Sequence, residues 1–140
     1  MNGFKPYVKG EGGDLKPIFG SEYQFESSES VSSTSSTSFK NKLTLTTPII
    51  PAGFYKADVT FEVTNSSGDK PVVTETTLNG NQLNESLYAP KFENEYLLTT
   101  SFAAQELTNA VQVIELNYRS TSEGGTAKIR KARIELFRVS

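Results

Sequence analysis

Between Pro51 and Asn65 the chain alternates without a break: Tyr55, Ala57, Val59, Phe61 and Val63 are apolar, and Lys56, Asp58, Thr60, Glu62 and Thr64 between them are polar. Period two is the mark of a strand buried on one face, and it denies this segment to a helix, whose apolar stripe recurs every three to four residues. Turn chemistry bounds the strand, with Pro48-Ile49-Ile50-Pro51-Ala52-Gly53 before it and Asn65-Ser66-Ser67-Gly68-Asp69 after it.

The rest of the chain reads the same way. Val72 to Leu78 is a β-branched run, and the Asn79-Gly80 pair that follows is what a two-residue type I′ hairpin turn demands. Residues 84–95 read as polar and irregular. Tyr96 to Ala103 reads as a strand with Tyr96, Leu98, Thr100 and Phe102 on one side, and 104–109 as a short loop. In 110–119, Ile114, Leu116 and Tyr118 point inward and Glu115, Asn117 and Arg119 outward. After a Glu123-Gly124-Gly125 turn, the last strand begins polar and ends apolar on both faces, which predicts a bulge near Lys131. The serine-rich residues 27–38 lie between Tyr23 and Phe25 on one side and Phe39, Leu43 and Leu45 on the other, so they read as strand, loop and strand at a sheet edge. No eleven-residue window has helix spacing with caps, and no repeat of fixed period occurs. About eight strands joined by turns predict an all-β fold, an antiparallel β-sandwich of jelly-roll type over residues 21–140.

Residues 1–20 form a separate arm. They hold five of the ten glycines, with Pro6 and Pro17, which break both periodicities. The apolar residues scattered among them, Phe4, Tyr7, Ile18 and Phe19, are more than a solvated linker needs and are candidates for anchoring the chain to a partner or for packing on its own domain.

What is missing narrows the chemistry. In 140 residues there is no His, Cys or Trp, which removes disulfides, thiol catalysis, the commonest general base and the usual zinc ligands. No apolar stretch is long enough for a membrane span, and Met1 to Gly20 lacks the apolar core of a signal peptide. The expectation is a cytoplasmically made, non-enzymatic chain without cofactor or membrane partner. Fourteen basic and sixteen acidic side chains give a net charge of −2, too balanced for a nucleic-acid binder. Yet all four arginines, Arg119, Arg130, Arg133 and Arg138, fall near the C-terminus while residues 1–30 are acidic, and Arg119, Arg130 and Arg133 are candidates for subunit contacts.

Other constellations are weaker. Asp58 and Glu62 share the polar face of the long strand but stand about 13 Å apart, too far for a glycosidase pair. Asn65 to Asp69 lacks the acidic density of a calcium loop and reads as a self-capping turn. In the basic run Lys128 to Arg133, alternation splits the cations between two faces, which favours pairing with acids such as Glu75 or Glu115 over gripping phosphates. The loop 84–94 carries Asn84, Tyr88, Phe92 and Asn94, residue types that hold sugar hydroxyls and stack on sugar rings, so a host-surface glycan is a second candidate partner.

Two segments are more specific than their composition: Ser38-Phe39-Lys40-Asn41-Lys42-Leu43-Thr44-Leu45-Thr46-Thr47-Pro48 with Ile50 to Lys56, and Asn117-Tyr118-Arg119-Ser120 with Ala127 to Val139. Together they resemble small jelly-roll proteins of tailed-bacteriophage virions, of the head-decoration and fibre or appendage type. The resemblance implies a structural virion component, a homotrimer, fixed to the major capsid protein or another virion protein.

Overall fold

The computed structural model describes residues 22–140, so the arm residues Phe4, Tyr7, Ile18 and Phe19 lie outside the described residues. Nine strands occur within it: β1 (Tyr23–Ser28), β2 (Ser32–Thr34), β3 (Lys40–Thr46), β4 (Gly53–Asn65), β5 (Val72–Leu78), β6 (Asn81–Tyr88), β7 (Leu97–Leu107), β8 (Val113–Arg119) and β9 (Ala127–Arg138). They form two antiparallel sheets, one in the order β1-β9-β4-β7 with β2 also on β9, the other in the order β3-β8-β5-β6. This is the sandwich of jelly-roll type expected from the alternation. The ninth strand comes from the serine-rich segment: β1 pairs with residues 132–137 of β9 and β2 with 127–129, so together they make one broken edge strand. Lys42 of the opposite sheet ties the break, donating to the Ser30 carbonyl at 2.6 Å and the Ser32 hydroxyl at 3.0 Å.

The core lies between the sheets. Tyr55, Val59, Phe61 and Val63 of β4 face Ile114, Leu116 and Tyr118 of β8, and β9 adds Ile129, Ala132, Ile134 and Leu136. The Asn79-Gly80 turn is type I′ as its sequence requires, with φ of 51° and 85°.

Residues 84–88 are not irregular. They belong to β6, which reads as polar because it is the edge of its sheet and covers the core with little more than Leu83 and Tyr88. Likewise β7 runs on to Leu107, through the expected loop, because its eleven residues pair throughout with β4.

The bulge near Lys131 is present: Lys131 has φ of 51°, and the register with β4 shifts between Thr60 and Glu62. Its effect on the cations corrects the expectation from simple alternation. The extra residue resets the pleat, so Ile129 and Ala132 are both buried while Lys128, Arg130, Arg133 and Glu135 all face outward. Glu75 and Glu115 are not the partners of these cations, since they stand on β5 and β8 of the other sheet, where Glu75 accepts from Gln82 and Asn117.

Tyr118 provides a test of the core. Its side chain is fully buried, its hydroxyl makes no hydrogen bond in this geometry, and burial pushes its pKa up to about 12, with the nearby Ser32 hydroxyl opposing only weakly. An acid whose folded pKa lies above its unfolded value near 10 favours folding fully while both states are protonated, and that contribution is lost as pH rises from about 10 through 12. Urea unfolding of the wild type is expected to lose roughly 2 kcal/mol more than Tyr118→Phe between pH 9 and pH 12. Parallel pH profiles for the two proteins would remove this account.

Candidate functional site

The outer face of the five-stranded sheet is unlike the rest of the surface. Registry puts Tyr23 and Phe25 of β1, Phe137, Glu135, Arg133 and Arg130 of β9, Lys56, Asp58 and Glu62 of β4, and Leu98 and Phe102 of β7 on this one side. Leu98 is 78% exposed, Phe102 68% and Phe25 51%. The inward positions of β7 between its ends are the small Thr99, Ser101 and Ala103 and the polar Gln105, so this strand carries its large apolar side chains there toward solvent rather than toward the core.

Three ion pairs form within this face. Arg130 Nε lies 2.7 Å from Glu62, Arg133 3.1 Å from Glu135, and Lys56 3.5 Å from Asp58. Each cation also covers a ring: Arg130 lies 3.6 Å from the centroid of Tyr96, Arg133 4.3 Å from Phe25, and Lys56 4.9 Å from Phe102. Tyr23 donates its hydroxyl hydrogen to Glu135 and accepts one from Arg133 at 3.3 Å. That donation, with Arg133 beside it, holds the Glu135 carboxyl below the usual carboxylate range. Rings and cations thereby hold one another in place, and ion pairs replace isolated charges.

The residues singled out in the sequence distribute as follows. Arg130 and Arg133 both lie on this face, and the bulge is what unites them. Arg119 does not join them: it sits at the end of β8 in the other sheet, 5.1 Å from the Phe39 ring. Asp58 and Glu62 are the acids of two of the ion pairs. Asn84 and Tyr88 point between the sheets, Asn84 donating to Ser101 Oγ at 3.3 Å and Tyr88 packing edge-on to Phe61. Phe92 is exposed on the 89–96 loop, where Asn94 donates its backbone N–H to the Asn65 carbonyl and accepts from Lys128. The four do not converge on one surface. Asn65 Oδ1 accepts the Ser67 N–H at 2.9 Å, the self-capping turn expected there.

Leu98, Phe102, Phe25 and Lys56 were not recognised as site residues from the sequence. A signal existed in β7, whose two large apolar side chains alternate with Thr99 and Ser101, but pattern alone does not say which side of an edge strand faces the core.

No protein-family model matches the chain, and no curated protein matches it. Among solved structures, the Eiger TNF of S. frugiperda aligns with 84% of this chain and 92% of its own at 12% identity, with a TM-score of 0.57. A dimeric latent PorU from Porphyromonas gingivalis aligns with 82% of this chain, which spans only 12% of PorU, at 12% identity and a TM-score of 0.53. The C-terminal domain of EclA, a sugar-binding protein, aligns with 90% of this chain and 87% of its own at 17% identity and a TM-score of 0.49. At these identities the likeness is one of fold, the β-sandwich.

Proposed function

We propose that this chain is a non-enzymatic assembly module that associates with copies of itself through the outer face of the five-stranded sheet, as a homotrimer, and serves as a structural component of a virion. The observation that carries the reading is the exposure of Leu98, Phe102 and Phe25 beside three ion pairs that close within the same face. Burying the apolar side chains of such a face gains apolar area while those six charges keep their partners. Its size is adequate: three strands of about eleven residues and the broken β1–β2 edge of about nine, some 4.8 Å apart and about 3.4 Å per residue, give roughly 700 Å², near the roughly 800 Å² per partner of a standard interface. The finer assignment, to a phage decoration or appendage protein attached to the particle through residues 1–20, is supported by the resemblance of residues 38–56 and 117–139 to such proteins, and repeated arms in one oligomer would raise avidity.

Sedimentation equilibrium of the full chain tests the assembly, with three protomer masses expected at micromolar concentration and a persistent monomer refuting it. Attachment is tested separately, by mixing the trimer with particles that lack it. A chain without residues 1–20 is expected to remain trimeric yet fail to decorate them, and equal decoration by both forms would refute the anchoring role.

A further inference from the structure

Away from the assembly face, the two sheets leave a gap between their edge strands β6 and β7. The Asn84 to Ser101 hydrogen bond bridges these strands midway. On the side of the β5–β6 turn they enclose a cleft of about 240 Å³ floored by Leu78, Leu83 and Leu107. Leu83 reaches the floor because the β5–β6 register shifts between Thr76 and Thr77, leaving it as the extra residue of β6.

One wall is braced by the protein itself. Gln112, 2% exposed, donates to the Thr108 and Ala110 carbonyls at 3.2 and 3.4 Å and accepts from Asn79 Nδ2 at 2.8 Å, while Asn79 Oδ1 accepts the Val113 N–H. The rim differs: the side chains of Asn81, Gln105, Glu106 and Thr108 form no hydrogen bond or ion pair among the described residues. A leucine floor thus meets four uncommitted polar groups over a pre-formed wall.

The composition of this cleft selects its ligand. No Lys or Arg lines it and Glu106 does, so phosphates, nucleotides and acidic sugars are repelled. A single carboxylate is too little for a hard cation. A wholly apolar ligand would strip water from the rim groups without replacing their hydrogen bonds. Carboxamides offer donors and acceptors side by side, as does a hydroxyl, and vicinal hydroxyls over a C–H face match this rim and floor together. We propose that the cleft binds a small neutral polyhydroxylated ligand, a free sugar or the terminal residue of a glycan, through Asn81, Gln105, Glu106 and Thr108. With no aromatic ring to stack on, the Kd for a monosaccharide is on the order of 1 mM. This inference does not rest on the assembly reading, whose face is the outer side of the five-stranded sheet, where Leu98 and Phe102 of β7 point away from the space between the sheets.

The test is titration of the ¹⁵N-labelled full chain with methyl glycosides of glucose, galactose, mannose and N-acetylglucosamine, and with glucuronate. Saturable shifts at Asn81, Gln105 and Thr108 with at least one neutral glycoside, and none with glucuronate, are expected. Gln105→Ala and Glu106→Ala, both at exposed positions, should each weaken binding by at least about fivefold with unchanged melting temperature. Binding of the corresponding oligosaccharide at least about tenfold tighter than the methyl glycoside assigns a glycan end, and equal affinity assigns a free sugar. Absence of saturable shifts with every neutral probe, shifts confined to residues 89–96, equal binding of glucuronate, or variants that bind like the wild type would each overturn the proposal.

Discussion

Replacing Leu98 and Phe102 together by glutamate is expected to leave the sandwich folded and to turn the proposed trimer into monomers. Both side chains project from the outer face of β7 and contribute little to the core, so the fold has little to lose. In the proposed assembly each would be buried, which is worth about 1.5–3 kcal/mol per side chain relative to exposure. Two carboxylates in their place would have to be desolvated beside Asp58 and Glu62, whose own cations are already engaged. Self-association should therefore weaken by at least about a hundredfold, read by sedimentation equilibrium with circular dichroism as the folding control. A double variant that still forms trimers would place the interface elsewhere, for instance near Arg119. Breaking one ion pair, as in Glu62→Gln, should act far less, because a partly exposed pair contributes about 1 kcal/mol.

Gly125→Ala is expected to lower stability by roughly 3–5 kcal/mol, a large share of the 5–15 kcal/mol that holds a typical domain together. Two costs combine. The residue has φ of 79°, and a Cβ there would lie 2.0 Å from Asn65 Oδ1. Asn65 cannot move aside cheaply: it is fully buried, its Oδ1 accepts from Ser67, its Nδ2 donates to the Pro71 carbonyl at 3.4 Å, and its own carbonyl accepts from Asn94. Displacing it would loosen the ends of three loops at once. Gly124 is the internal control, with φ of 98° but nothing within 4 Å of a Cβ. Gly124→Ala should cost only the backbone term of about 1–2 kcal/mol. Thermal unfolding of the two variants separates conformation from overlap, and equal losses would show that Asn65 yields.

The strands that line the core were legible because each has one buried face. Tyr55 to Val63 and Ile114 to Tyr118 alternate cleanly, and the Asn79-Gly80 turn carries its conformation in its residue types. The edge strands were harder. β6 lies at the margin of its sheet and pairs on one side only, so hydrophobicity did not mark it, while β7 offered its large side chains to the side that a core-centred reading ignores. For the site, Arg130 and Arg133 stood out as a basic cluster. Their ring partners Tyr96, at the end of the 89–96 loop, and Phe25 of β1 lie more than thirty and more than a hundred residues away, and no local pattern connects such positions.

The bulge near Lys131 shows where the division falls. A final strand apolar on both faces cannot keep a strict pleat, so the sequence alone determined that an extra residue had to be accommodated, just as it determined an all-β chain without thiol or imidazole chemistry. Only the tertiary structure decided what the bulge does: it sets Arg130 and Arg133 on the same side, opposite Glu62 and beside Glu135, and makes an aromatic, charge-paired face from residues of four strands. The physical reason is one of range. Alternation and turn chemistry act over a few neighbouring residues and appear in the order of the chain, whereas a surface is composed across strand pairings whose register depends on the whole sandwich.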